Sequence, residues 1–368
     1  MTDEHLNVLG SVIAVDLPVE DRARIRAQWS RCLAPEGAAA DSSVTYGNQE
    51  DADRRDYALA SALTLAGIQH AAGTRLMLHA AGVADPASGR VAALIAASGV
   101  GKTTAAHLLC SDGFGYVTDE TVSVGASGDV LPYPKPLSVV IDGDSPHHKS
   151  QHGPDELGLG SCPDDPRIAL FVMLDRDRDR SGPAEPTLEQ LPLLDGLLEL
   201  IPQTSALPAM QRPLRSLAAT LHAAGGVWRL RYRDVADAAP LLREALRSHP
   251  ADPSRVWEPA PSREDRAGRP VDADAAGQPA QLSGASRVAR APYLDAVGVD
   301  DEVLVLVERR PARLSGLGST IWQHSARPAT VAELTRWCVA EHGDHPGAGQ
   351  LVTDAVSALV EHTVLQPA

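Results

Sequence analysis

Between Val91 and Cys110 the chain runs as an apolar stretch, a glycine-bearing turn, a Lys-Thr pair and a helical pattern: Val91-Ala-Ala-Leu-Ile-Ala-Ala-Ser-Gly-Val-Gly-Lys-Thr-Thr104. This order constrains the fold more than any other feature. Val91 to Ile95 predicts a buried strand, and Thr104 to Cys110 a helix whose N-terminus faces the loop. Unpaired N–H groups and the positive dipole end at a helix start make an anion site. Gly99 and Gly101 let the backbone curl around phosphates. Lys102 supplies a point charge for the outer phosphates, and the Thr103 hydroxyl can ligate Mg²⁺. The segment Ser98, Gly99, Val100, Gly101, Lys102, Thr103 and Thr104 is therefore the expected nucleotide cradle. The first position of such loops is here Ala96 in place of the usual glycine.

The chain has 368 residues, enough for two domains. Its formal net charge of −15 argues against a general nucleic-acid or membrane-surface role. Cys32, Cys110, Cys162 and Cys338 lack CxxC spacing, so neither a zinc site nor a disulfide framework is expected, and a reducing cytoplasm suits them. Met1-Thr-Asp-Glu-His5 has no signal-peptide pattern, and no apolar run reaches membrane-spanning length. The expectation is a cytoplasmic protein that binds no nucleic acid and no membrane.

Along the chain, Leu6 to Val15 reads as a strand and Glu20 to Cys32 as a helix, followed by a polar interruption over residues 34–53. Tyr57 to Ala72 reads as a helix and Thr74 to His79 as a strand. Gly115 to Glu120 reads as a strand ending in two acids, and Arg167 to Asp175 as a buried strand. Val227 to Tyr232 and Val235 to Ser248 close an α/β region, residues 1–250. Residues 251–285, rich in Pro, Gly, Ala, Asp and Arg, read as a flexible linker. Residues 286–368 then form a compact unit. Val288 to Val299 and Glu302 to Val307 suggest a hairpin, with Ala312 to Leu314 as a third strand. Helices follow at Leu317 to His324, Val331 to His342 and Gln350 to His362, the second opened by a Thr330/Glu333 capping box. Trp322 and Trp337 are both expected in its core.

His79-Ala-Ala-Gly-Val83, Ala97-Ser-Gly-Val-Gly-Lys-Thr103 and Val117-Thr-Asp-Glu120 together resemble the HPr kinase/phosphorylase-like family, related to phosphoenolpyruvate carboxykinases. The resemblance covers about residues 5–248. It implies an α/β fold with a P-loop on a mixed-sheet core and phosphorylation of a serine hydroxyl with ATP and Mg²⁺. His79, Lys102, Thr103, Asp119 and Glu120 occupy the family's site positions, with Thr103 and Asp119 toward the metal. The second acid is Glu120 where the family has Asp, so which acid is the base stays open. Family members form oligomers, which makes a homo-oligomer an expectation here. Residue chemistry points the same way: a hydroxyl needs a carboxylate to accept its proton, and cations must offset phosphoryl charge. His79 reads equally as a structural residue at a strand end.

Other residues are open to two readings. Lys135, in Leu131-Pro-Tyr-Pro-Lys-Pro136, is expected to face solvent from a proline-rich loop, with a place beside a phosphate as the alternative. His147, His148, Lys149 and His152 suggest a polar substrate lid. Arg212 and Arg215 could stabilise phosphoryl charge, or lie on the surface.

The hairpin, third strand, Leu314-Ser-Gly-Leu-Gly-Ser-Thr-Ile-Trp322, helices and closing Glu361-His-Thr-Val-Leu365 resemble the PqqD-like fold, a small α+β winged-helix-like domain. That fold is the recognition element of ribosomal-peptide maturation systems. The resemblance implies a precursor peptide as partner, its leader held by residues 286–368 as an added strand beside the third strand and against the last helix. A winged-helix DNA reader has the same outline but needs a basic recognition helix. The sequence thus leads to a kinase acting on a hydroxyl of a tethered precursor peptide. Its alternatives are the same site acting on a small molecule or carrier protein, and a nucleotide-dependent peptide chaperone.

Overall fold

A computed structural model describes residues 3–97, 99–140, 149–180, 182, 185–248, 257–260 and 282–368. The chain divides into two compact units, Met1–Met210 with Ala219–Asp252, and Gln211–Ala218 with Pro253–Ala368.

The first unit opens with β1 (Asp3–Val8) and β2 (Ser11–Asp16), followed by α1 (Val19–Gln28), β3 (Ser42–Thr45) and α2 (Ala52–Ala71). The single strand expected from Leu6 to Val15 is a hairpin, pairing Val8 with Ser11. Leu9 and Gly10 turn it, with φ of +53° and +88°, the positive values a two-residue hairpin turn needs. The polar interruption also contributes structure, because β3 runs parallel to β2. Leu6, Ile13, Trp29 and Leu63 form the core under this layer.

Next come β4 (Leu76–Ala84), β5 (Arg90–Ile95), α3 (Lys102–Ser111), β6 (Gly115–Thr118), β7 (Thr121–Val124) and β8 (Val130–Leu131). They are followed by β9 (Leu137–Val140), β10 (Lys149–His152), β11 (Arg167–Arg176), β12 (Thr187–Gln190) and α4 (Leu193–Leu200). The unit is completed by β13 (Thr204–Ser205), the latter part of α5 (Pro213–Ala223), β14 (Val227–Tyr232) and α6 (Ala239–Arg247). Among the described residues the main sheet has the order β12-β14-β11-β5-β4-β7-β8. β14, β11 and β5 are parallel, while β4 runs antiparallel to β5, so the sheet is mixed. Leu94, Leu109, Phe114, Leu170 and Leu242 meet in the core that this sheet shares with its helices. Each such side chain contributes about 1.5–3 kcal/mol by leaving water.

β4 is longer than its expected Thr74 to His79. It continues through His79-Ala-Ala-Gly because it is paired on both edges, which outweighs the weak strand preference of Ala and Gly. Gly82 fits closely: a Cβ there would lie 3.1 Å from carbons of both Val117 and Val122, so one or both valines would have to shift.

The second unit holds β15 (Glu258–Pro259), β16 (Arg287–Arg290), β17 (Asp295–Val299), β18 (Glu302–Val307) and β19 (Arg310–Leu314). After these come α7 (Leu317–His324), β20 (Ala329–Thr330), α8 (Val331–His342), α9 (Ala348–Glu361) and β21 (Leu365–Pro367). Most of the expected linker, 251–285, lies outside the described residues, but β15 within it pairs with β17. The expected strand from Val288 to Val299 is two strands in different sheets. β16 joins β20 and β21, and β17 joins β18, because Pro292 between them has no N–H to continue a ladder. One sheet has the order β15-β17-β18-β19, with β19 at its edge. The Thr330/Glu333 capping box opens α8 as expected.

Trp322 is fully buried, but Trp337 is not a core residue and is 50% exposed. On α8 the buried stripe is Val331, Leu334 and Cys338, and position 337 falls off it. Trp337 instead stacks on His324, ring centroids 4.2 Å apart.

Candidate active site

β4 places the site. Its first half pairs with β7, His79 opposite Thr121, and its second half pairs with β6 and β5, Ala80 opposite Ile95. The turn between β6 and β7, Asp119-Glu120, and the loop leaving β5 at Ala96 therefore converge beside His79. The acid turn is fixed locally: the Thr118 hydroxyl accepts from the backbone N–H groups of Glu120 (3.2 Å) and Thr121 (3.4 Å). The Glu120 carbonyl accepts from the N–H of Ala80 at 3.1 Å.

The loop has the conformation its glycines allow, with φ of +82° at Gly99 and +111° at Gly101. Gly101 caps α3 without a side-chain hydrogen bond, and no acid occupies the helix's first turn. The first N–H groups of α3 are thus unshielded toward an anion. Lys102 is buried and curls back onto the loop, donating to the carbonyls of Ala96 (2.7 Å) and Ala97 (3.3 Å). Burial holds its pKa below the usual lysine value, against the raising effect of Glu120 and Asp119. Thr103 donates to Asp119 Oδ2 at 2.9 Å, while Val100 is half-buried and Thr104 exposed. Ser98 lies outside the described residues, as do His147 and His148.

Asp119 is buried and engaged at both oxygens. Oδ2 receives Thr103, and Oδ1 receives the Lys135 ammonium at 2.8 Å and the Tyr116 hydroxyl at 3.3 Å. Glu120, with its side chain 32% exposed, meets Lys135 through Oε2 at 3.3 Å. Lys135 does not face solvent: it is 1% exposed and sits between the two acids. The prolines on either side aim this residue inward, so a proline-rich loop here serves as a rigid arm. Burial alone would lower its pKa, but the Asp119 and Glu120 carboxylates outweigh that and raise it.

His79 is half-buried. Burial first, then the Lys102 charge, depress its pKa, while Glu120 and a hydrogen bond to the Glu120 backbone oppose them. Its ring sits at the junction of loop and acids, its pKa drawn down. Lys149 lies over the Tyr57 ring at 5.5 Å, and His152 pairs with Glu156 at 2.9 Å.

Arg212 and Arg215 belong to the second unit. Arg212 is exposed at φ +55°, and Arg215 pairs with Asp295 at 3.1 Å within the second unit. A different arginine reaches the loop: Arg178 donates to the Gly99 carbonyl at 3.1 Å. Its signal is the alternating run Asp175-Arg-Asp-Arg-Asp-Arg180 at the C-terminal end of β11, next to the loop strand, where open α/β sheets place ligands.

The donors fit Mg²⁺. A threonine hydroxyl and a carboxylate 2.9 Å apart are hard oxygen ligands, and Mg²⁺ characteristically takes one or two carboxylates and fills its octahedron with water and phosphate. Among the described residues no cluster of three or more His, Cys, Asp or Glu could hold a metal by itself, and no helix is long and apolar enough to cross a membrane.

No protein-family model matches the chain, and no curated protein matches it. Among solved structures, the HPr(Ser) kinase/phosphatase from Coxiella burnetii is similar at 12% identity and a TM-score of 0.27, covering 47% of this chain and 95% of that one. A likeness of that size leaves function to the geometry of the site.

Proposed function

We propose that the chain is an ATP- and Mg²⁺-dependent kinase that phosphorylates a serine or threonine hydroxyl of a ribosomally made precursor peptide. The observation that carries this reading is the continuous chain of contacts from Thr103 through Asp119 and Lys135 to Glu120, at the mouth of a phosphate loop. A site for nucleotide binding alone needs the loop and a metal-side acid; a second, partly exposed carboxylate beside them suits an acceptor.

In this reading the α3 N-terminus and Lys102 bind the phosphates, the ammonium exchanging the Ala96 and Ala97 carbonyls for phosphate oxygens. Thr103 and Asp119 would hold Mg²⁺, which when bound offsets charge on the phosphates. Asp119 is buried and serves the metal, whereas Glu120 is partly exposed, so Glu120 is the base. It orients the hydroxyl and accepts its proton as the oxygen bonds to the terminal phosphorus and the bond to the bridging oxygen breaks, releasing ADP. His79 supports Glu120 through the backbone it contacts.

The second unit would capture the leader. β19 is a sheet edge among the described residues, and an extended peptide can add there as a further strand. Tethering raises the local concentration of the core peptide, so the active site itself can bind weakly.

The test is transfer of labelled terminal phosphate from ATP to the precursor peptide by the wild-type protein and Lys102→Ala. Labelling by wild type alone is expected, and about tenfold less for a peptide without its leader. Equal labelling by both proteins overturns the mechanism.

A further inference from the structure

Lys135 is a lysine with nowhere to go. Its side chain is 1% exposed, and its ammonium meets Asp119 Oδ1 at 2.8 Å, the Pro136 carbonyl at 2.9 Å and Glu120 Oε2 at 3.3 Å. An ammonium has three donors, and here each has an acceptor. The surroundings hold the arm as well as the tip. The Lys135 carbonyl accepts from the Tyr116 hydroxyl at 3.0 Å, and its N–H donates to the Tyr133 carbonyl at 2.8 Å. The Tyr133 hydroxyl lies 2.9 Å from that of Thr64, which is itself 3.5 Å from Glu120 Oε2. Both tyrosines are completely buried.

The charges then count simply. Two adjacent carboxylates, Asp119 buried and Glu120 partly so, repel each other, and a buried charge without a partner is expensive. One cation is fixed by the fold, so the pair presents one net negative charge. Lys102 does not fill this role, since its ammonium is hydrogen-bonded to loop carbonyls.

We propose that Lys135 is a positioning residue, a built-in counter-cation that fixes the Glu120 carboxylate against Asp119 and takes the place of a second metal, so that the site admits one divalent ion with its nucleotide. This rests on the kinase reading above. The chemistry is that of a one-metal phosphoryl-transfer site in which a lysine, always present, replaces an ion that would come and go.

The probe is Mn²⁺, titrated by electron paramagnetic resonance into the full chain with the non-hydrolysable analogue AMPPNP. Wild type is expected to hold one Mn²⁺ per chain. Lys135→Met should admit a second, because a repelling charge has gone. Its kcat for phosphate transfer should fall about 100-fold while KM for ATP stays within about threefold, as expected when a base is misplaced and the nucleotide cradle is intact. Lys135→Met with Glu120→Gln removes one charge of each sign and should return to one Mn²⁺ with kcat still low. Two Mn²⁺ in wild type overturn the inference, as does a folded Lys135→Met protein that still holds only one. Should Lys135→Met fail to fold, the wild-type and double-variant counts decide, two ions in either overturning it. A wild-type chain that binds no AMPPNP removes the kinase reading and this inference together, whereas nucleotide bound with two Mn²⁺ removes the inference alone.

Discussion

The two ends of the candidate site each contain a buried lysine, and the two are held in opposite ways. At the loop end, Lys102 donates to two backbone carbonyls, and burial draws its pKa down. At the acid end, Lys135 is held by two carboxylates that raise its pKa in spite of burial. Carbonyl dipoles are weak partners for a full charge, so the loop lysine gains by exchanging them for a phosphate. Carboxylates are strong partners, so the other lysine is committed. In the proposed function one cation is thus available for a ligand and the other holds the acids in place, although both have the same side chain and both are buried.

The largest expected effect lies at the loop. Lys102→Ala should reduce phosphate transfer by about a thousandfold or more, because the charge that meets the outer phosphates is gone; initial rates from labelled ATP measure it. A rate near wild type would put the available cation elsewhere. At the acid end, Glu120→Gln should slow transfer by about 10²- to 10⁴-fold, the usual contribution of a general base, with ATP binding retained. A rise in KM with kcat unchanged would instead make Glu120 a binding residue.

Tyr116→Phe probes the support of the committed lysine. It deletes the hydroxyl that reaches both the Lys135 carbonyl and Asp119, leaving a buried acceptor with one donor fewer. A loss of about 1–3 kcal/mol in urea unfolding is expected. No loss would mean that the arm is held by its prolines alone.

The smallest effect is on pH dependence, at the junction of the two ends. Burial and Lys102 hold the His79 pKa below the ordinary 6.5 in the folded state. The unfolded chain therefore takes up this proton first as pH falls, and folded stability drops from about pH 6.5 downward until the folded ring also titrates. Above that range His79 adds no slope. His79→Gln should flatten the difference in unfolding midpoint between about pH 7.5 and 5.5, and an unchanged difference would assign the slope to other groups.

How much of this is legible in the sequence varies with the kind of interaction. The strand, loop and helix from Arg90 to Ser111 are written in local pattern, and so are the acid turn and the capping box of α8. These depend on residues a few positions apart. What the pattern hides depends on distant partners. β4 runs past His79 because strands on both sides pair with it, and the hairpin at Leu9-Gly10 interrupts an apolar run that looks continuous. Lys135 reads as a surface lysine by type; only the acids, sixteen and fifteen residues earlier, explain its burial. Trp337 errs the other way, an aromatic on a helix whose inward stripe is already filled. For arginines, the local run Arg212-Pro-Leu-Arg215 says little, whereas Arg178 reaches the loop because β11 lies beside β5.

The comparison of the two lysines is tested most directly by calorimetric titration of AMPPNP with Mg²⁺ into wild type, Lys102→Ala and Lys135→Met. The account predicts that wild type binds, that Lys102→Ala weakens binding at least about tenfold, and that Lys135→Met leaves it within about threefold. No binding by wild type, or an equal loss in both variants, would contradict it.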